Sequence, residues 1–104
     1  MPIIEVTVIP VGTDTTSLSG YVAEMQRLLI EAGDSIRYQL TPMSTILEGD
    51  LVVLLNVLRR LHESPFAAGA NRVCTTIKID DRRDRPSSME QKMRSVAEKL
   101  TPAP

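Results

Sequence analysis

The chain has little of what most catalytic and metal sites are built from. It holds one cysteine, one histidine and no tryptophan in 104 residues. A zinc cage of Cys and His is therefore excluded within one chain, because four such ligands do not exist. Cys74 has no partner for an internal disulfide, and Met1-Pro2-Ile3-Ile4-Glu5 lacks the basic region of an export signal. A reducing cytoplasm is the expected compartment. The five glycines form neither G-x-G-x-x-G nor a phosphate-cradling P-loop, and no G-x-S-x-G elbow is present. The longest apolar run, Leu51 to Leu55, is five residues, far below the roughly 20 a membrane-spanning helix needs. Nor is there an excess of one charge. Twelve basic against thirteen acidic residues give a formal charge of −1, which argues against nucleic acid as a partner.

What is present is an ordinary globular composition, 42% apolar and 24% charged, of a length suited to one domain. Ile4, Val6 and Val8 alternate with Ile3, Glu5, Thr7 and Ile9, which predicts a strand ending at Pro10 and Gly12. Tyr21, Val22, Met25, Leu28, Leu29 and Ala32 form one helical stripe over about Leu18 to Ala32. Ser17 or Ser19 suits its N-cap and Gly33 its end. Ser35 to Thr41 and Met43 to Glu48 read as two strands broken at Pro42, close enough for a hairpin. Asp50 suits the cap of a second helix along Leu51, Leu54, Leu55, Leu58, Leu61 and His62, expected to stop near Glu63 at Ser64-Pro65. Asn71 to Asp80 is a last strand. A capping box at Ser87-Ser88-Met89-Glu90 opens a third helix along Met89, Met93, Val96, Ala97 and Leu100. The tail Thr101 to Pro104 is expected to be flexible.

The order is β-α-β-β-α-β plus a helix. It predicts an α+β, ferredoxin-like βαββαβ antiparallel sheet with an additional C-terminal helix, as a single domain over 1–104. Right-handed crossovers place both main helices on one sheet face. The other face, with Ile3, Glu5, Thr7, Ile9, Thr76 and Lys78, is too apolar to be entirely wet and too polar for a monomer core. The third helix or another subunit is expected to cover part of it, so a homo-oligomer is predicted.

Five segments stand in order: Pro10-Val11-Gly12-Thr13, Ser17-x-Ser19-x-Tyr21-Val22-Ala23, Tyr38-x-Leu40-x-Pro42-Met43-x-Thr45-x-x-Glu48-Gly49, His62-Glu63, and Arg72-Val73-x-Thr75-x-Ile77-Lys78-Ile79-Asp80-Asp81-Arg82-Arg83-Asp84. Over about residues 3–97 the chain resembles the small thiamine-binding protein family. The charged run after the last strand is the most specific of these segments. The resemblance implies a ferredoxin-like fold, assembly as homodimers and homotetramers through the sheets, binding of thiamine or its hydroxymethylpyrimidine moiety, and no catalytic activity or other cofactor. Ser44 departs from the pattern, where Gly is expected in the Pro-Met-x-Thr segment. A Ser forced to positive φ there would strain the hairpin.

An aminopyrimidine is flat, with polar edges to be read by a carboxylate, hydroxyls or backbone groups while an aromatic or Met side chain covers its face. The thiazolium cation of thiamine favours a carboxylate or an aromatic face. Glu48, beside Gly49, is the first candidate, with an exposed strand-end charge as the plainer reading. Thr13, Ser17 and Ser19 lie at the first strand–helix junction, where helix amides are free, although capping explains one serine. Thr45 supplies a hydroxyl from the hairpin. Tyr38 and Met43 are candidates to stack on a ring, although Tyr38, like Tyr21, also reads as core. His62 reads as structural and Cys74 as a small buried or interfacial hydrophobe. Ion pairing within the run explains Asp80 to Arg85 better than an anion clamp at Arg82 and Arg83. Three functions follow: a non-catalytic binder of thiamine or a related pyrimidine, a homo-oligomerisation module without a ligand, and an enzyme using Glu48 and His62 as its acid–base pair.

Overall fold

A computed structural model describes residues 1–13, 18–85 and 88–100. Strand β1 (Ile3–Val11) pairs antiparallel with β3 (Thr45–Gly49) on one side and β4 (Arg72–Asp80) on the other, and β2 (Ile36–Leu40) pairs with β3. The sheet order is β2-β3-β1-β4, as the βαββαβ chain order requires of a ferredoxin-like fold. Helices α1 (Ser19–Ala32) and α2 (Leu51–Ala67) form one layer and the sheet the other; α3 (Met89–Leu100) follows β4.

Alternation does the sorting predicted from the sequence. Ile4, Val6 and Val8 are buried with Ile36 and Leu47 against Leu29 of α1 and Leu54, Val57, Leu58 and Leu61 of α2. Each fully buried aliphatic chain contributes roughly 1.5–3 kcal/mol relative to exposure. The register sets Ile3 opposite both Glu48 and Asp80, and Arg37 opposite Glu48. One row, Arg37–Glu48–Ile3–Asp80, thus crosses the open face at the end where β1 begins.

The local boundaries carry the corrections. Ser19 is the first residue of α1 rather than its cap; Leu18 holds that position without a side-chain hydrogen bond, and Ser17 lies outside the described residues. Asp50 caps α2, its carboxylate accepting from Val53 N at 3.4 Å. With Gly49 ending β3 and Leu51 beginning α2, Asp50 is the only residue between strand and helix. That helix does not stop at Ser64-Pro65 but runs to Ala67, with Pro65 buried inside it. Pro65 sits in the last turn, where a single amide bond is lost, while its carbonyl accepts from the N–H groups of Ala68 and Ala70. In the β2–β3 turn, Thr41 N donates to Ser44 O at 2.8 Å and Ser44 N donates to Thr41 Oγ1 at 2.9 Å. Among the described residues only glycines have positive φ, so Ser44 closes this turn without the strain a left-handed serine would carry. Ser88 caps α3, accepting from Gln91 N at 3.0 Å. The cap therefore forms one residue later than a Ser87–Glu90 box, with Gln91 in the N3 place.

Candidate functional site

Helix α1 and the β2–β3 hairpin do not close against each other over the far end of β1. Between them lies a cleft of about 680 Å³, in the range of small-molecule sites. Its walls are apolar, from Val6 and Val8 of β1, Met25 and Leu29 of α1, Leu40 of β2 and Leu61 of α2. Thr41, Ser44 and Thr45 from the hairpin and Ser19 and Gln26 from α1 add polar groups. Met43, 84% exposed, stands on the hairpin at its edge. Among the described residues none that lines this cleft is ionisable. A flat, neutral or weakly polar ring suits such walls, with its edge groups turned to the hydroxyls.

The structure gathers three of the sequence candidates here, Ser19, Met43 and Thr45. The amphipathic start of α1 and the broken strand pair explain why: each ends its element at the same side of the sheet. Thr13 and Tyr38 are half-buried and do not line the cleft; Tyr38 packs against the core, as its alternation with Arg37 and Gln39 foretold. Ser17 lies outside the described residues. Missing from the sequence candidates were Met25, Leu29, Leu40 and Leu61. Apolar periodicity marks them as inward-facing and does not tell a packed wall from a cleft wall.

Glu48 is not an exposed strand-end charge. It is 4% exposed on the open sheet face, and its Oε2 has no hydrogen-bond partner. It lies on the side of the sheet opposite the cleft, across from Arg37. The Arg37 guanidinium hydrogen-bonds Glu90 of α3, which raises its pKa above the ordinary value. His62 is on the helix side, its Nδ1 2.7 Å from Thr75 Oγ1 and its ring edge-on to Phe66. Glu48 and His62 are separated by the sheet itself, so they do not form an acid–base pair. Cys74 is exposed on the open face beside Ile9, which corrects the buried half of its reading as a buried or interfacial residue.

The charged run after β4 pairs internally, as its neutral sum implies. Arg82 bridges Asp84 through two bonds of 2.6 and 2.9 Å, and Arg83 holds Asp81 at 2.8 Å. These bonds depress the carboxyls, Asp84 to about 2, and raise the guanidinium pKa values. With both arginines engaged, an anion clamp there has no free fork to offer.

Comparison with known proteins gives the site a context. Residues 4–97 match the family described as thiamine-binding protein. The chain is 49% identical to the UPF0045 protein YqgV of Bacillus subtilis, over 98% of this chain and 100% of that one. It superposes on the crystal structure of protein MJ1052 from Methanocaldococcus jannaschii with a TM-score of 0.81 at 30% identity, covering 93% of this chain and 96% of the other. A Thermotoga maritima protein assigned provisionally to thiamine biosynthesis or salvage shares the fold, with a TM-score of 0.74 at 18% identity over 91% of this chain and 97% of that one.

Proposed function

The chain belongs to the thiamine-binding protein family, and from that premise we propose that it binds thiamine or a thiamine-related pyrimidine reversibly in the α1–hairpin cleft, breaking no bond. The observation that carries the reading is the meeting of Ser19, Met43 and Thr45 around one apolar cavity of about 680 Å³. The aminopyrimidine enters, its faces against aliphatic walls and its edge toward the hydroxyls. Met43 folds over the ring from the hairpin. With no carboxylate among the described residues of the lining, the thiazolium cation stays at the mouth, in water, where its charge is hydrated. Of the remaining candidates, Thr13 and Tyr38 lie outside the lining of the cleft. Glu48 offers its orphaned oxygen on the other sheet face, to a donor of a second copy or ligand. The protein acts in this reading as a homodimer or homotetramer in the cytoplasm; among the described residues no helix is long and apolar enough to cross a membrane.

Calorimetric titration with thiamine and with hydroxymethylpyrimidine tests the proposal. Both are expected to bind, and to similar extents, because the pyrimidine makes the contacts. Met43→Ala is expected to weaken both about tenfold or more, the equivalent of one Met side chain left unburied. Heat from neither compound ends the ligand reading. In that event the module reading stands, favoured by the open sheet face and by an apolar seam on α3 that touches no core.

A further inference from the structure

Strand β1 is served unequally by its two neighbours. β4 pairs with all nine of its residues, Ile3 to Val11, whereas β3 pairs with only four, Ile3 to Val6. One bond fixes which way each main-chain group faces. Gly49 N donates to Pro2 O at 3.4 Å, which makes these two a hydrogen-bonded pair. In an antiparallel ladder such pairs recur at every second residue. The main-chain polar groups of Ile4, Val6, Val8 and Pro10 therefore face the β3 side, and those of Ile3, Glu5, Thr7, Ile9 and Val11 face β4.

Pro10 obeys this parity. A proline inside a sheet costs a ladder bond unless its missing N–H falls on a free edge. Pro10 keeps its place opposite Val73 because β4 makes no demand on its nitrogen.

Val8 is the residue left over. Continued by two residues, the β1–β3 register would set Met43 opposite it, but β3 starts at Thr45. Met43 N donates instead to Thr41 Oγ1 at 3.3 Å, and Ser44 N donates to the same oxygen at 2.9 Å. The turn satisfies its own amides, and the N–H and C=O of Val8 have no partner among the described residues. Both groups face the gap where the hairpin bends away, and Val8, 8% exposed, lines the α1–hairpin cleft there. An amide and a carbonyl left unpaired at such depth cost free energy until a guest meets them.

Resting on the reading of this cleft as a pyrimidine site, we infer that the ligand is held by the main chain of Val8, as a one-residue extension of the sheet. An aminopyrimidine presents a ring nitrogen, which accepts, beside an amino group, which donates. Val8 N–H donates to that ring nitrogen, and the amino group donates to Val8 C=O. This repeats the two-bond exchange of a hydrogen-bonded strand pair. The ring then lies in the plane of the sheet, where β3 would have continued. Its other ring nitrogen and its hydroxymethyl group are left for the hydroxyls of the hairpin and α1. The class recognised is a flat heterocycle carrying a donor and an acceptor side by side. An added peptide strand fits poorly, because Pro10 leaves this edge a single N–H, and strand addition draws its affinity from main-chain bonds along several residues.

Hydrogen exchange and NMR on the full-length protein test the inference. Without ligand, the Val8 amide is expected to exchange about tenfold or more faster than those of Val6 and Ile9, which the ladders hold. Hydroxymethylpyrimidine labelled with heavy nitrogen is expected to protect it, and to show a scalar coupling between Val8 N and the ring nitrogen beside the amino group. Replacing the ligand's amino group by hydrogen is expected to weaken binding about tenfold, the worth of one hydrogen bond. A Val8 amide already protected without ligand overturns the inference. Hydroxymethylpyrimidine that binds without coupling to Val8, or binds equally well without its amino group, overturns it too and leaves the cleft reading standing. No binding of hydroxymethylpyrimidine or thiamine ends both.

Discussion

His62 and Thr75 are joined across the helix–sheet boundary, Nδ1 to Oγ1 at 2.7 Å, and the imidazole edge meets the ring of Phe66 one turn further along α2. This contact ties the second half of α2 to edge strand β4, which gains little other cover: Ile77 and Ile79, on the same face of β4, are each 46% exposed. The histidine is a fastening, not a general base, because the sheet keeps Glu48 from it. Thr75→Val keeps the shape and removes the hydroxyl, and is expected to cost about 1 kcal/mol. For a domain this size that lowers Tm by about 4–8 °C, to be read by thermal unfolding. Thiamine titration of the same variant is expected to match wild type, since Thr75 does not line the cleft.

Much of this architecture was legible in the sequence. Ile4, Val6 and Val8 announce their face by alternation, Asp50 its cap, and the order of elements the sheet. What escaped was decided in three dimensions. Pro65 stays helical because its ring is buried and its missing amide falls in the last turn. Glu48 alternates like a solvent-facing residue, and only the folded chain shows that it is buried. Ser19, Met43 and Thr45 line one cleft because they stand at element ends on the same side of the sheet. The apolar walls of their cleft were hidden among core positions of identical pattern.

Gly33 ends α1 with φ 61° and ψ −139°, a conformation open essentially to glycine alone. No atom lies within 4 Å of a Cβ built there, so the effect of Gly33→Ala is conformational, not steric crowding. A loss of about 1–3 kcal/mol is expected, measured as a lower urea midpoint with unchanged slope.

The Asp84 carboxyl gives a pH signature. Its hydrogen bonds from Arg82 hold it at about 2, below the ordinary 3.8. A depressed folded-state value means the pair's contribution is complete above about pH 4 and fades as pH falls toward 2. Both side chains stand in water, so the effect on overall stability is small. Carboxyl NMR titration is expected to place the Asp84 midpoint near 2 in wild type, and to return it toward the ordinary range in Arg82→Ala.

Glu48 Oε2 is buried without a donor. An unsatisfied buried oxygen costs about 1–3 kcal/mol. Glu48→Met, similar in length and apolar, is expected to raise stability by about 1 kcal/mol in urea unfolding. Arg37 keeps its bond to Glu90 in that variant. A loss of stability instead would mean that the attraction between Glu48 and Arg37 outweighs the missing bond.

The lone residue joining β3 to α2 has a wider meaning for how this chain tolerates change. With Asp50 alone between Gly49 and Leu51, the pitch of the helix is geared to the pleat of the sheet. One extra residue spliced in there would wind α2 by about 100°, carrying Leu54, Leu58 and Leu61 out of the interior together. Length variation among descendants of this sequence is therefore barred from that joint and admitted at the longer connections, so the spacing from Gly49 to Leu54 is a stricter inheritance than the identity of any one side chain between them.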